Sequence, residues 1–166
     1  SEMTVPANTN NSYTTCSGIL YDSGGSTGDY GLNQDGYTVL YPDVAGNVIQ
    51  VSGNLDSEGS FDYLYIYNGV GTGGTLLWSG SGNQVIPTLT STDATGALTI
   101  QFTTDGSVVY PGFSLNISCT TTGAEMIVPT TGNNSYTTCS GTLYDSGGST
   151  GDYGLNQNGY TVLYPD

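Results

Sequence analysis

Three stretches of alternating sequence decide the fold of this chain: DYLYIYNG at residues 62–69, LTIQFT at 98–103 and GFSLNIS at 112–118. In each stretch, residues expected to be buried alternate with residues expected to face outward, which is the period of a β-strand with one buried face. Further short strands are predicted between turn clusters, at Met3–Pro6, Tyr37–Tyr41, Val48–Val51, Leu76–Trp78 and Val85–Leu89. About eight or nine such strands without a helical period predict an all-β fold, a β-sandwich of antiparallel strands.

The composition supports this prediction and excludes several functions. Fourteen tyrosines provide aromatic surface for a core, and 26 glycines suit tight turns. Lysine, arginine and histidine are absent, and the formal net charge is −14. A chain without cationic side chains cannot neutralise phosphates, so we expect no nucleic-acid partner. No run approaches 18 apolar residues, and we therefore expect no membrane span.

The sequence repeats itself. Residues 1–43 recur at 124–166, with 36 of the 43 positions identical. We therefore predict two domains, a complete repeat at 1–123 and, at 124–166, the truncated first third of the next repeat. Three short strands bury too little surface to fold alone, which leaves two alternatives. Either the chain is an excerpt of a longer tandem array, which the near-identity favours, or the partial repeat docks onto another copy of the protein.

The cysteines follow the same repeat. Cys16 opens the complete repeat, Cys119 closes it, and Cys139 is the second copy of Cys16. In an extracellular chain we expect a disulfide between Cys16 and Cys119, with Cys139 paired to the closing cysteine of the next repeat. A bridge that closes a loop of roughly a hundred residues stabilises a fold by about 4–5 kcal/mol in the chain-entropy model. The alternative is three reduced, buried thiols.

The side-chain inventory argues against catalysis. Without histidine or lysine, the chain has no ordinary general base near neutral pH. Nothing is present to activate its many serines and threonines as nucleophiles. Paired carboxylates remain, as in glycosidases, but they need a concave cleft that a domain of this size rarely provides. We therefore predict that the protein is not an enzyme.

Three motifs together resemble a CUB domain of the bacterial secreted type: CSGILYDSGGSTGDY at 16–30, EGSFDYLYIYNG at 58–69 and LTIQFTTDGSVVYPGFSLNISC at 98–119. The resemblance covers residues 12–119 and restarts at Ser135. It implies a CUB-like jelly-roll β-sandwich, here in a tandem array, in a protein that is secreted or displayed at the cell surface. Many CUB domains carry four cysteines, whereas this repeat carries two.

The same resemblance implies a calcium site. Many CUB domains hold Ca²⁺ at one end of the sandwich through one glutamate and two aspartates, and the matching positions here are Glu58, Asp62 and Asp105. Calcium takes six to eight oxygen ligands. Three converging carboxylates need a counterion, and this sequence has no cationic side chain to provide it. The alternative is that Asp105 only forms a turn with the following glycine and that Glu58 is a solvated loop residue.

The repeat indicates a structural or adhesive role in an extracellular surface filament or giant adhesin, stabilised by the disulfide and by calcium. Its partners would be neighbouring copies of the repeat, because only six residues, Thr120–Glu125, join one unit to the next strand. The alternative is a ligand- or glycan-recognition module of a larger secreted protein. For that function the possible contact surface consists of Tyr65, Tyr67, Trp78 and Tyr110, although such residues also suit a half-exposed sheet or a core.

Overall fold

The computed structural model describes residues 2–121, 125–137 and 141–165, and every regular element in these ranges is a β-strand. The first ten strands are β1 Met3–Thr4, β2 Asn10–Thr14, β3 Ser17–Tyr21, β4 Asp35–Tyr41, β5 Asn47–Asp56, β6 Tyr63–Asn68, β7 Thr75–Gly80, β8 Asn83–Thr90, β9 Leu98–Thr103 and β10 Gly112–Thr121. Four more follow, β11 Glu125–Ile127, β12 Thr131–Thr137, β13 Thr142–Tyr144 and β14 Asn158–Tyr164. Within these ranges, no helix has the length and apolarity that crossing a bilayer requires.

The first ten strands form two five-stranded sheets. The first sheet has the order β1-β3-β10-β5-β8, and the second sheet has the order β2-β4-β9-β6-β7. Apart from the β6–β7 hairpin, chain neighbours therefore alternate between sheets, which is the connectivity of a jelly-roll sandwich. In the second sheet, β9 is central and pairs antiparallel with both β4 and β6. The predicted all-β sandwich is confirmed.

The core lies between the two sheets and follows from the alternation of the sequence. The first sheet contributes, among others, Leu20, Ile49 and Leu115, and the second contributes Ile66 and Ile100, all without exposed surface. In β6, buried and outward-facing residues alternate, with the pattern iBiB over Tyr63–Ile66. Burying one such aliphatic side chain stabilises a fold by roughly 1.5–3 kcal/mol, so this layer supplies the main driving force for folding.

The prediction of antiparallel strands is wrong at one edge of each sheet. There β1 pairs with β3 in parallel, and β2 pairs with β4 in parallel. Parallel neighbours need a crossover connection. The crossover exists because β2, which belongs to the second sheet, lies between β1 and β3 in the chain, and β3 lies likewise between β2 and β4.

Strand β8 forms the opposite edge of the first sheet. It contains Pro87, which has no N–H group and is exposed. The register between β8 and β5 shifts beside this residue, between Val51 and Gly53. A proline at a bulge of an edge strand is the arrangement that a sheet tolerates, because no ladder hydrogen bond is lost there.

The chain divides into two compact units, Ser1–Thr120 and Thr121–Asp166. The second unit repeats the edge pairs of the first, since β11 pairs in parallel with β13 and β12 with β14. Its apolar side chains are not covered to the same extent. Leu143 is 43% exposed and Leu163 is 48% exposed, whereas their counterparts Leu20 and Leu40 in the first unit are fully buried.

Candidate metal centre

Three acidic side chains lie close together at the end of the second sheet where β6 begins and β9 ends. β6 and β9 run antiparallel with Tyr63 opposite Thr103, so the residue before β6 and the loop after β9 lie at the same end of the sheet. Asp62 directly precedes β6, and Asp105 follows β9. Glu58 joins them through a tight turn, in which its carbonyl accepts a hydrogen bond from the N–H of Asp62 at 3.1 Å.

The spacing of the three carboxylates is compatible with a single bound ion. One oxygen from each of Glu58, Asp62 and Asp105 lies within 4.8 Å of the other two. Asp62 is fully buried, and the other two side chains are half-buried. The structure therefore brings together the three residues that the resemblance implies, at one end of the sandwich.

Tyr30, in the loop between β3 and β4, orients this cluster. Its hydroxyl donates to Asp62 Oδ2 at 2.6 Å and accepts from the N–H of Glu58 at 3.0 Å. The buried ring packs edge-on against Phe102, with 5.0 Å between centroids. Burial, and then the hydrogen bond to Asp62, raise the pKa of Tyr30, so the hydroxyl remains a proton donor at neutral pH. The sequence does not reveal this role of Tyr30, because nothing in the motif GDYG links it to a carboxylate 32 positions away.

The two aspartates are further oriented by their own loops. The N–H of Asp105 donates to Asp62 Oδ1 at 2.8 Å, and the N–H of Ser107 donates to Asp105 Oδ1 at 2.9 Å. Both side chains are thus held in place by hydrogen bonds from the backbone.

Glu58 is the group that the protein leaves unsatisfied. Its Oε2 is buried and has no hydrogen-bond partner among the described residues. Desolvation raises the pKa of Glu58, and the negative charges of Asp105 and Asp62 raise it further. The sequence contains no lysine, arginine or histidine that might compensate these charges. A divalent cation would do so, and a donor set made only of oxygens is the set that Ca²⁺ prefers. The residues present therefore fit calcium.

A second buried acid, Asp22, shows how this fold satisfies a carboxylate without an ion. Its Oδ1 accepts from the N–H of Gly24 at 2.8 Å, and its Oδ2 accepts from the N–H of Phe113 at 3.0 Å. Burial raises the pKa of Asp22, while these two hydrogen bonds act in the opposite direction. Gly112 is required beside it, because a Cβ there would lie 1.9 Å from Asp22 Oδ2. Asp22 therefore fastens the end of β3 to the start of β10.

The first unit is closed by a disulfide. It joins Cys16, between β2 and β3, to Cys119 near the end of β10, with 4.9 Å between the Cα atoms. Asp43 lies beside the bridge and accepts a hydrogen bond from the N–H of Cys16 at 3.2 Å. This group of one acid and two sulfurs is close enough to hold a metal. We assign it no metal, because a disulfide offers no thiolate ligand. Cys139 lies outside the described residues.

The four residues of the possible contact surface do not share one face. Tyr65 and Tyr67 point outward from β6 and stack with Tyr63, with 5.9 and 6.2 Å between successive ring centroids. Trp78 of β7 is paired with the core residue Ile66, and it is half-buried against the core. Tyr110 is exposed in the loop between β9 and β10. The outward aromatic surface of the second sheet is therefore the stack of Tyr63, Tyr65 and Tyr67.

Solved structures with this architecture include CUB domains. The chain superposes on the CUB1-EGF-CUB2 region of human MASP-1/3 with a TM-score of 0.55 at 17% identity, over 66% of this chain and 41% of that one. It superposes on the MASP-1 CUB2 domain, solved bound to Ca²⁺, with a TM-score of 0.53 at 17% identity, over 65% of this chain and 96% of that one. The extracellular region of zebrafish Gpr126/Adgrg6 gives 0.52 at 20% identity, over 69% of this chain and 15% of that one.

These similarities define the fold. The chain is a disulfide-closed β-sandwich with the CUB fold. Its alignments span less than half of the MASP-1/3 and Gpr126/Adgrg6 chains, so it corresponds to one module of those larger proteins. No family model and no curated protein matches the sequence.

Proposed function

We propose that this chain is a structural or adhesive module of an extracellular surface filament or giant adhesin, built as a tandem array of calcium-stabilised CUB-like repeats. The disulfide favours an oxidising compartment outside the cytoplasm. A repeat of near-identical units is typical of proteins whose function is to extend or to adhere.

The observation that carries the proposal is that the second unit repeats the strand pairing of the first while its leucines remain exposed. Its strand pairs copy those of the first unit, but Leu143 and Leu163 are exposed where Leu20 and Leu40 are buried. In the first unit the covering strands are β9 and β10, which pair with β4 and β3. Equivalent strands, contributed by a neighbouring repeat, would cover these leucines.

Calcium would act in this module as a structural ion. Glu58, Asp62 and Asp105 would hold it, and backbone carbonyls and water would complete its coordination. Bound Ca²⁺ supplies positive charge at a point where three carboxylates converge. It would thereby fix the turn before β6 to the loop after β9, and so stiffen one end of the sandwich. Tyr30 keeps Asp62 and the Glu58 backbone in position for it.

We also propose that the protein has no catalytic activity. The chain has no histidine, lysine or arginine to act beside the proposed ligands. Its function then depends on being stable and numerous outside the cell.

Microscopy of native material tests the proposal. Antibodies raised against the 166-residue chain should label extended surface fibres of the source cells, and isolated fibres should show a regular axial repeat. Treatment with a calcium chelator should make the fibres more flexible or fragmented. Labelling confined to dispersed single molecules would contradict the proposal.

Recognition of neutral glycans is a second candidate, and the stack of Tyr63, Tyr65 and Tyr67 favours it. Beside the stack, Tyr67 donates to Gln101 at 3.2 Å, and the Gln101 amide donates to Asp35 at 2.7 Å. Aromatic rings with amide and carboxylate groups nearby are suited to sugars, and the lack of cationic side chains excludes strong binding of acidic ones.

A glycan array probed with the full chain tests this second candidate. Binding should disappear in Tyr65→Ala and persist in Tyr153→Ala, which removes a tyrosine that is 69% exposed in the second unit. Equal binding by both variants, or no binding by the unmodified chain, would exclude the stack as a glycan site.

A further inference from the structure

The disulfide creates a short covalent path through the first unit. The first unit runs from Ser1 to Thr120, and the bridge connects Cys16 to Cys119 near these two ends of its sequence. The bridged cysteines are 103 positions apart in sequence. A pull on the two ends of the unit therefore reaches the disulfide before it reaches most of the sandwich.

We propose that the first unit is a tension-transmitting link in which the disulfide carries the force past the sandwich. Tension then runs through residues 2–16, crosses the bridge and leaves through residues 119–121. Residues 17–118 form a closed loop behind the bridge and bear none of it along the backbone. This inference rests on the proposed filament role, because only a protein that is pulled needs such a path.

One segment of the unit remains in the path, and the structure shows how it is held. This N-terminal strap, residues 2–15, supplies β1 to the first sheet and β2 to the second sheet. β2 is aligned with β4 over five residue pairs, from Asn10 opposite Tyr37 to Thr14 opposite Tyr41. Val5, between the two strands, is buried in the core with 2% of its surface exposed. The strap is therefore the only part of the described unit that tension opens while the bridge is intact.

The candidate metal centre lies inside the protected loop. Glu58, Asp62 and Asp105 all fall between the two bridged cysteines. Stretching the unit therefore leaves the calcium ligands together, and removal of calcium does not lengthen the tension path. Bound calcium would stabilise the protected loop, whereas the disulfide limits the length to which the unit extends.

Single-molecule force spectroscopy on the full chain, flanked by marker domains of known length, tests the proposal. Cys139 is replaced by serine in all samples, so that Cys16 and Cys119 are the only cysteines. In the oxidised chain we expect the strap to release only about 5 nm, at about 3.5 Å per residue. After reduction, the same molecules should show an additional release of about 36 nm from the 103 positions behind the bridge. The second unit contributes equally to both measurements.

Two further sets of variants test the same proposal. The double variant Cys16→Ser with Cys119→Ser should give the long release without reductant. If this variant does not fold, reduction of the folded chain, verified by thiol labelling, makes the same comparison. Val5→Ala should lower the force of the short release without changing its length. A release of about 36 nm from the oxidised chain, or none after verified reduction, overturns the proposal. These lengths are measured on isolated molecules, so they stand even if microscopy finds no filament.

Discussion

Calcium removal is the most direct test of the candidate metal centre. A ligand that binds only the folded state at 100 times its Kd stabilises that state by about 2.7 kcal/mol. For a unit the size of Ser1–Thr120, about 1 kcal/mol corresponds to roughly 4 °C in Tm, so saturating calcium should raise the Tm by about 10 °C over a chelator. Calorimetry or circular dichroism of the full chain, with calcium and with chelator, measures this difference.

The variant Glu58→Gln sharpens the test, because it should raise the Tm in chelator and reduce the gain in Tm on adding calcium. In chelator it should melt above the unmodified chain, since it removes a buried, unpartnered carboxylate that lies beside two others. If losing one ligand weakens calcium binding about tenfold, the calcium response at the same concentration falls by about half.

Asp29→Asn is the matched control. It removes one negative charge from an exposed position, so the net charge of the two variants is equal. It should respond to calcium as the unmodified chain does. An unmodified chain whose Tm is the same with calcium and with chelator would refute the assignment of Glu58, Asp62 and Asp105. So would a Glu58→Gln variant with the full calcium response.

Three further predictions follow from the same structure. Tyr30→Phe should lower the free energy of unfolding by about 1–3 kcal/mol in denaturant titrations, because it leaves a buried Asp62 oxygen without its donor, whereas Tyr110→Phe, at an exposed loop, should have little effect. Ile100→Ala, at a fully buried position, should lower the free energy of unfolding by about 2–5 kcal/mol in the same assay. An equal loss for Val85→Ala, at a position 77% exposed, would contradict our description of the core. In chelator, the pKa of Glu58 is raised, so the contribution of this residue to stability falls as pH rises through that pKa. On acidification, the unmodified chain should therefore gain stability relative to Glu58→Gln. With calcium the trend should reverse, because protons compete with the ion for the carboxylates.

Most strands were predictable from sequence, including the edge strand β1, but β2 and the interior strand β3 were not. The alternation in β6, β9 and β10 reflects one face packed against a core, so periodicity alone identified these strands. β2, with the sequence NNSYT, was missed because polar edge residues are stabilised mainly by pairing with β4, which the local sequence does not encode. The parallel direction of that pairing is likewise a property of the crossover between sheets.

At the candidate site too, some residues could be identified from sequence and others could not. Asp62 and Asp105 were identified because they flank two strong strand signals and match the motif of a resembling family. Tyr30 was missed because its contact with Asp62 spans 32 positions and depends on how a loop folds over the end of the sheet. Trp78 was placed in the possible contact surface with a core position as the alternative, since composition cannot tell which side of a strand faces the core. Its pairing with Ile66 places it on the inner side.

Pro87 has a consequence for how crowded copies of this protein behave. A flat sheet border with free N–H groups recruits further strands and drives amyloid-like growth at high concentration. β8 offers a proline and a shifted register at that border, so the first sheet cannot be extended there by a neighbour. Copies of this protein at high concentration can therefore lie side by side without merging into one continuous sheet.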